Sequence, residues 1–256
     1  MRHPNHFRPE SFTRIRDLMT QCLILAGGRG TRMQGYNPSL PKALLPVAGR
    51  PFADWQLSWL ASEGVGSVVY SIGYRGDLIR EFVGDGGKWG VAVTYVEETD
   101  GLLGTGGAVR LAADRSVLDE RFFVLYGDSY LRVDLRSVDR VFEERGLPAI
   151  MTVFANEGQW DTSNVVFDGT LVVEYRKGVD RHLPAMRYID YGLSELRRQA
   201  VVDEIPSDRP SDLAEFLETL SRRAELGGYE VFQRFFEIGS PSGIRELHEH
   251  LSGLEA

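Results

Sequence analysis

The stretch from Gln21 to Gly49, QCLILAGGRGTRMQGYNPSLPKALLPVAG, sets glycines and cations at a spacing that could hold phosphate. An apolar run, Cys22-Leu23-Ile24-Leu25, leads into Gly27 and Gly28, then Arg29, Gly30 and Arg32. Glycines there open backbone conformations closed to other residues and let the main chain approach a ligand. Successive free N–H groups beside arginine make an anion cradle. Lys42 follows Pro41, ten residues after Arg32, so a second cation on a proline-stiffened turn can return to the same phosphates. The loop is not a Walker A, because no Gly-Lys-Ser/Thr follows at the required spacing. Nor is it a full dinucleotide fingerprint, since Met33 stands where a third glycine is wanted. Taken alone, the glycines read equally as an ordinary turn.

An acid appears where hard-oxygen chemistry could use it. In FFVLYGDSYL, Phe122 to Leu131, an apolar strand runs out into Gly127 and Asp128. Packing explains an aspartate at that point poorly, whereas Mg²⁺ is usually held by one or two carboxylates plus substrate phosphates. The bland alternative is an aspartate capping the following turn. Asp134, six residues on, reads as the N-cap of a helix over Leu135–Glu144.

LAGGRGTRM followed by PKALLPVAGRPF resembles the signature of the sugar-1-phosphate nucleotidyltransferases, LAGGxGTRL followed by PK. The likeness extends over about residues 21–250 and implies a role for each matching position. Leu25, Ala26, Gly27, Gly28 and Gly30, with Thr31, would hold the nucleotide. Arg32 would take the β- and γ-phosphates and Lys42 the phosphate being transferred. The GTGGA run, with Gly104 and Thr105, would pass along the base and open a helix over Ala108–Ala113. Asp128 of the GDS triplet would hold Mg²⁺. Glu237, in Phe236-Glu237-Ile238-Gly239-Ser240-Pro241, stands where the family's closing D-I-G-T-P has its second metal-binding aspartate, one methylene longer. Lys177 matches the lysine that binds the sugar phosphate, although the usual Glu-Lys-Pro is here Arg176-Lys177-Gly178. The Ile189-Asp190-Tyr191-Gly192 run would line the sugar pocket, with Asn164 and Asp190 as candidates for the sugar hydroxyls and Gly192 as its small turn.

The reaction implied is transfer of a nucleoside monophosphate from an NTP to a sugar 1-phosphate, giving an NDP-sugar and pyrophosphate. Such a transfer needs positioning and charge neutralisation more than a protein nucleophile. The short chain, GTGGA and the IDYG run look most similar to bacterial enzymes that activate heptose or related sugars for polysaccharides. A heptose or mannose-type sugar is therefore expected. Guanine presents adjacent N–H donors that one carboxylate can accept, so Glu97 or Glu98 is expected to favour GTP, with Glu98 the nearer candidate. Partners beyond the two substrates are not implied, apart from a second copy in a homodimer. Two rivals from other classes are a dinucleotide-dependent oxidoreductase, using Asp54 for the ribose, and a non-catalytic sugar-nucleotide sensor. Met33 and the place of Asp54 inside a Trp-rich helix count against the first; Lys42 and Asp128 count against the second.

The elements that must position these residues follow from periodicity. Strand, helix and strand alternate along the first half, the pattern of a doubly wound sheet whose ligands sit beyond the carboxyl ends of the strands. The expectation is an α/β fold: a Rossmann-like, doubly wound, mostly parallel mixed sheet flanked by helices, as a single domain. Residues 1–18 read as a flexible extension and 19–256 as the domain, with a nucleotide half (19–148) and a sugar half (149–256). Phe52, Trp55 and Trp59 share one helical face and predict a core-facing stripe. Strands are expected over 149–155 and 229–235, with a hairpin over 164–175 turned at Asp168-Gly169. Ser211 is expected to cap an amphipathic helix bearing Leu213, Phe216, Leu217 and Leu220.

Composition bounds the partners. With 256 residues, 43% hydrophobic and 26% charged, the chain has an ordinary globular composition. A net charge of −8 argues against a broad nucleic-acid surface. No apolar run approaches the ~18 residues of a membrane span, and residues 1–18 lack the apolar centre of a signal peptide. Cys22 is the single cysteine, so no disulfide framework exists and a reducing cytoplasm fits.

Overall fold

The apolar run before the glycine loop becomes β1 (Gln21–Ala26), the strand around which both layers are built. The computed structural model describes residues 20–28, 30, 37, 39–98, 101–156, 158–178 and 182–253. The expected extension 1–18 lies outside these, as do Thr31 and Arg32.

After β1 come a 3₁₀ turn at Lys42–Leu44 and the short ribbon β2 (Pro46–Val47) and β3 (Arg50–Pro51). The chain then alternates α1 (Phe52–Ser62), β4 (Ser67–Ile72), α2 (Gly76–Val83), β5 (Ala92–Glu97), α3 (Gly104–Asp114) and β6 (Arg121–Tyr126). Next come β7 (Ser129–Tyr130) and α4 (Leu135–Arg145). The rest is β8 (Ala149–Ala155), β9 (Val165–Phe167), β10 (Val172–Tyr175), β11 (Tyr188–Arg197), α5 (Arg198–Glu204), α6 (Leu213–Arg222), β12 (Leu226–Val231), β13 (Phe236–Glu237) and α7 (Pro241–Ser252).

Among the described residues the main sheet has nine strands, with β10-β9-β11-β6-β1-β4-β5 along its path and β8 and β12 branching from β11. The strands β6, β1, β4 and β5 are mutually parallel. From β11 onward the pairing is mixed: β11 runs antiparallel to β6, β8 and β9, while β12 is parallel to β8. The sheet is the expected Rossmann-like one, and helices cover both faces.

A strand buried on both sides alternates its side chains between two cores. Cys22 and Ile24 join the core that takes in Leu57, Leu60, Ile79, Val138 and Phe142 from α1, α2 and α4. Leu23 joins the other, with Val109, Val201, Phe216 and Leu217 from α3, α5 and α6. Each fully buried side chain of this kind contributes roughly 1.5–3 kcal/mol relative to exposure. A third, smaller core gathers Leu45, Val47, Phe52, Tyr130, Phe236, Ile238 and Leu247 under α7. That core fixes the antiparallel pair β7–β13.

Several expectations on the elements are met, and four shift, among them the strand expected over 229–235, which lies at Leu226–Val231 because the Gly227-Gly228 pair can still follow β8 in the parallel register. Asp134 caps α4, accepting from the Arg136 and Ser137 amides at 3.0 and 3.2 Å. The 164–175 hairpin forms as β9 and β10. The inward face of α1 is Phe52, Ala53, Gln56, Leu57 and Leu60, whereas Trp55 and Trp59 are half-buried at its margins. Gln56 takes the inward place because its amide donates to the Tyr126 and Ser129 carbonyls at 3.1 and 2.8 Å, oxygens that need a donor inside the core. The cap of α6 is Asp212, not Ser211, because Asp212 accepts from the Ala214 amide at 3.0 Å. The helix expected from Ala108 begins at Gly104, four residues earlier.

Candidate active site

The carboxyl ends of β1, β4 and β6 open onto one cavity of about 240 Å³. Leu25, Ala26, Gly27 and Gly28 line it from the end of β1, and Glu98, Gly104 and Thr105 line it from the end of β5 and the start of α3. Lys42 and Asp128 line it from the 3₁₀ turn and the β6–β7 turn. Nine of the positions singled out in the sequence thus share one space.

Local sequence explains the convergence. A Cβ on Gly27 would lie 2.6 Å from a Glu98 carboxylate oxygen, so only glycine lets that acid approach the β1 loop. Gly30 has φ +58°, and a Cβ there would press on the Lys42 stem at 3.1 Å. Lys42 is thereby guided along the loop, and its Nζ reaches Asp128 Oδ2 at 2.7 Å.

Glu97 and Glu98 are separated by the strand's alternation. Glu97 is exposed and meets Arg80 at 3.3 Å. Glu98 turns into the cavity, where its Oε2 accepts from the Leu103 amide at 2.6 Å. Burial raises the Glu98 pKa above the ordinary carboxylate value, and the Leu103 hydrogen bond offsets part of that rise.

A second cluster lies in the other half. Asn164 Oδ1 accepts from the Asp190 amide at 3.0 Å, and Asp190 Oδ1 accepts from the Gly192 amide at 2.9 Å. Tyr175 donates its hydroxyl to Asp190 Oδ2 at 3.2 Å. Burial pushes the Asp190 carboxyl up, against the Gly192 and Tyr175 hydrogen bonds and the Lys177 charge. Lys177 itself pairs with Asp212 at 2.6 Å, and its amide donates to Glu218 at 3.1 Å.

Tyr126, at the end of β6, joins the clusters. Its ring lines the cavity, and its pKa is pushed well up by burial and by the charges of Asp190, Asp212, Asp128 and Glu237. Glu237 stands opposite Ser129 in the β7–β13 pair, and the next amide, Ile238, donates to the Asp128 carbonyl at 2.9 Å. Asp128, in the turn just before β7, and Glu237, on β13, are therefore held close by the chain pairing. Among the described residues no group of three or more His, Cys, Asp or Glu forms a complete metal cage. Two carboxylates are the hard-oxygen donor type that magnesium takes, and Asp128 Oδ2 is here paired with Lys42.

Sequence reasoning missed Tyr126, Tyr175, Glu218 and Asp212. Tyrosines at strand ends and a glutamate in an amphipathic helix carry no signal of their own. Asp212 was visible only as a neighbour of an assumed serine cap.

A parallel sheet with a glycine loop, a lysine and a carboxylate turn around one cavity at its switch point is the architecture of an α/β nucleotide-using enzyme. The profile of the nucleotidyl transferase family matches residues 21–164. Over 235 residues the chain is 32% identical to D-glycero-alpha-D-manno-heptose 1-phosphate guanylyltransferase of Aneurinibacillus thermoaerophilus, covering 90% of this chain and 98% of that relative. N-acetylmuramate alpha-1-phosphate uridylyltransferase of Neisseria meningitidis serogroup B is 35% identical over 114 residues, 44% of this chain and 49% of that protein. The crystal structure of HddC from Yersinia pseudotuberculosis shares the fold, with a TM-score of 0.75 at 22% identity over 91% of this chain and 100% of that one. The chain belongs to the nucleotidyl transferase family. Among the described residues no helix is long and apolar enough to cross a membrane.

Proposed function

We propose that the chain joins the nucleoside monophosphate of GTP to a heptose or mannose-type sugar 1-phosphate, releasing pyrophosphate. The observation that carries this is the single cavity shared by the β1 loop, Lys42, Asp128 and Glu98. A sugar-phosphate oxygen attacks the α-phosphorus of the NTP, the bond to the bridging oxygen breaks, and pyrophosphate leaves in line. No protein nucleophile is required.

Each residue then has a task. The main chain of Leu25 to Gly30, with Thr31, cradles the nucleotide, and Gly104 and Thr105 flank the base. Lys42 neutralises the phosphate being transferred, with Arg32 on the leaving phosphates. Lys177 receives the sugar phosphate, while Asn164, Asp190 and Gly192 form the sugar pocket. Asp128 and Glu237 would hold Mg²⁺, which when bound polarises phosphate oxygens and neutralises developing charge. Glu98 is the acid that can accept both N–H donors of guanine, because Glu97 points to solvent. The guanylyltransferase name of the relative aligned over nearly its whole length supports GTP and heptose. A uridylyltransferase aligned over half the chain is the reason to test every base. A cytoplasmic location goes with the use of an NTP.

The test is pyrophosphate release with Mg²⁺ across four NTPs and a panel of sugar 1-phosphates including heptose and mannose. Release that needs one NTP and one sugar together is expected. Absence of release together with absence of NTP binding would overturn the reading.

A further inference from the structure

The acid at the start of α6 has no part in the tasks above, yet its two oxygens join three elements. Asp212 Oδ2 accepts from Lys177 Nζ at 2.6 Å. Its Oδ1 accepts from the Thr105 hydroxyl at 2.9 Å and from the Ala214 amide at 3.0 Å. Thr105 Oγ1 in turn accepts from the Leu213 amide at 2.9 Å. One residue earlier, the Ser211 carbonyl accepts from the Gly106 and Gly107 amides at 3.0 and 3.3 Å, and the Ser211 amide donates to Leu103 at 2.9 Å. Leu103 is the residue whose amide donates to Glu98. An unbroken run of polar contacts therefore leads from the acid in the nucleotide cavity, along the first turn of α3, to the lysine of the other half.

Capping alone does not call for this arrangement. Asparagine or serine would cap α6 as well as aspartate does. Burial opposes the charge on Asp212, but Lys177, the Ala214 amide and Thr105 outweigh it and hold the carboxyl below its ordinary range. Asp212 is thus ionised at neutral pH and paired with a half-exposed lysine. Such an exposed pair adds little to stability. Its effect is on the lysine: a long flexible side chain is held in one place before any ligand arrives, which lowers the ordering cost of binding. The ammonium has three donors, so it can keep Asp212 and still meet a phosphate.

We propose that Asp212 is a positioning residue that holds Lys177 ready for the sugar phosphate and fastens it to the α3 turn walling the nucleotide cavity. The proposal deepens the transferase reading and rests on it, with Lys177 as the sugar-phosphate cation. The two ends of the reaction are then registered to each other through α3 and α6 rather than through the sheet.

The test compares Asp212→Asn, Lys177→Met and the double variant with the parent, in steady-state kinetics and in labelling of Lys177 by an amine-acylating reagent read by mass spectrometry. Asn keeps the cap and the acceptor for Thr105 but removes the charge. The expected result is a KM for sugar 1-phosphate raised roughly 10-fold, since a hydrogen bond to a charged group is involved, with the KM for NTP within about 3-fold and melting unchanged. The double variant should be no worse than Lys177→Met, and Asp212→Glu should recover part of the loss. Lys177 should acylate several-fold faster once its carboxylate is gone. Equal rises in both KM values with a lower Tm would mean a structural role and overturn the proposal. Equal acylation rates in parent and Asp212→Asn would also overturn it. Should the parent turn over nothing in the substrate panel, the transferase reading falls by itself, while the labelling still decides whether Asp212 holds Lys177.

Discussion

Two lysine–aspartate pairs of nearly equal length sit in the two halves of this site, and their surroundings differ. Lys42–Asp128 spans 2.7 Å with side chains 21% and 28% exposed. Lys177–Asp212 spans 2.6 Å with side chains 51% and 38% exposed. The first lysine rises from a 3₁₀ turn with its stem on Gly30, and its aspartate is pinned by the Ile238 amide. The second follows an edge hairpin and is held near its base by one backbone hydrogen bond to Glu218. The same chemistry is thus packed in and fixed at one end and, though its lysine is held ready by Asp212, exposed and able to yield to a ligand at the other. Fixed charge suits bond-making, where reorganisation at the moment of reaction is costly. A yielding pair suits the arrival and departure of a substrate.

The largest effect should come from the fixed side. Asp128→Asn is expected to cut kcat by on the order of 10³-fold while weakening NTP binding only modestly, as measured by pyrophosphate release and calorimetric titration. Unchanged turnover would remove Asp128 from the mechanism and erase the contrast. The lysines sharpen it further. Lys42→Met should lower kcat by about 10²-fold. Lys177→Met should instead raise the KM for sugar 1-phosphate by roughly 10- to 100-fold and spare kcat. If both variants change the same constant, the two pairs do one job.

The same division governs what could be read in the sequence. The fixed side is built from contiguous runs, because a strand, its glycine loop and its turn must follow one another along the chain. LAGGRGTRM and YGDSY each put their candidate residues within a few positions of a buried strand, so periodicity gives the strand and the resemblance gives the residues beside it. The yielding side is assembled across chain separations. Tyr175 meets Asp190, and Lys177 meets Asp212, 35 residues away, so no local pattern announced either contact. Asp212 was overlooked because a serine beside it satisfied the capping rule equally well. The tryptophans of α1 were placed inward because helical spacing does not register that two buried carbonyls require Gln56. Strands β1, β4 and β6, by contrast, are legible, since burial on both faces leaves a continuous apolar run, whereas β12, opening on Leu226-Gly227-Gly228, is expected three residues late.

A smaller effect tests the cavity wall that the Asp212 contacts reach. Glu98→Gln should reduce the preference for GTP over the other NTPs by roughly 10-fold, the value of one charge-assisted hydrogen bond. Burial raises the Glu98 pKa, so the acid should also lose its charge sooner than an exposed glutamate as pH falls. In the parent the guanine preference is therefore expected to fade on acidification from neutral pH, and in Glu98→Gln to stay flat. Competition assays with paired NTPs at several pH values measure both. A preference untouched by the substitution would assign base selection elsewhere.

Glu195 provides the comparison with an acid that has no lysine. It lies on β11, fully buried, with its nearest recorded cation, Arg121, 4.0 Å away. Burial first, and then the Asp139 carboxylate, push its pKa up to about 9 from an ordinary 4.5. The folded state therefore holds a proton that the unfolded chain releases. The sign follows: the contribution to stability is intact below about 4.5 and is lost progressively as pH rises to about 9. Glu195→Gln is neutral at every pH and should escape that loss. Urea unfolding should find the variant equal to the parent near the acid end of the window and more stable above pH ~8, with the activity of the folded enzyme unchanged. Parallel pH slopes in the two proteins would mean that Glu195 ionises in place. Its burial would then resemble that of the charged pairs, and having a lysine partner would no longer set Asp128 and Asp212 apart.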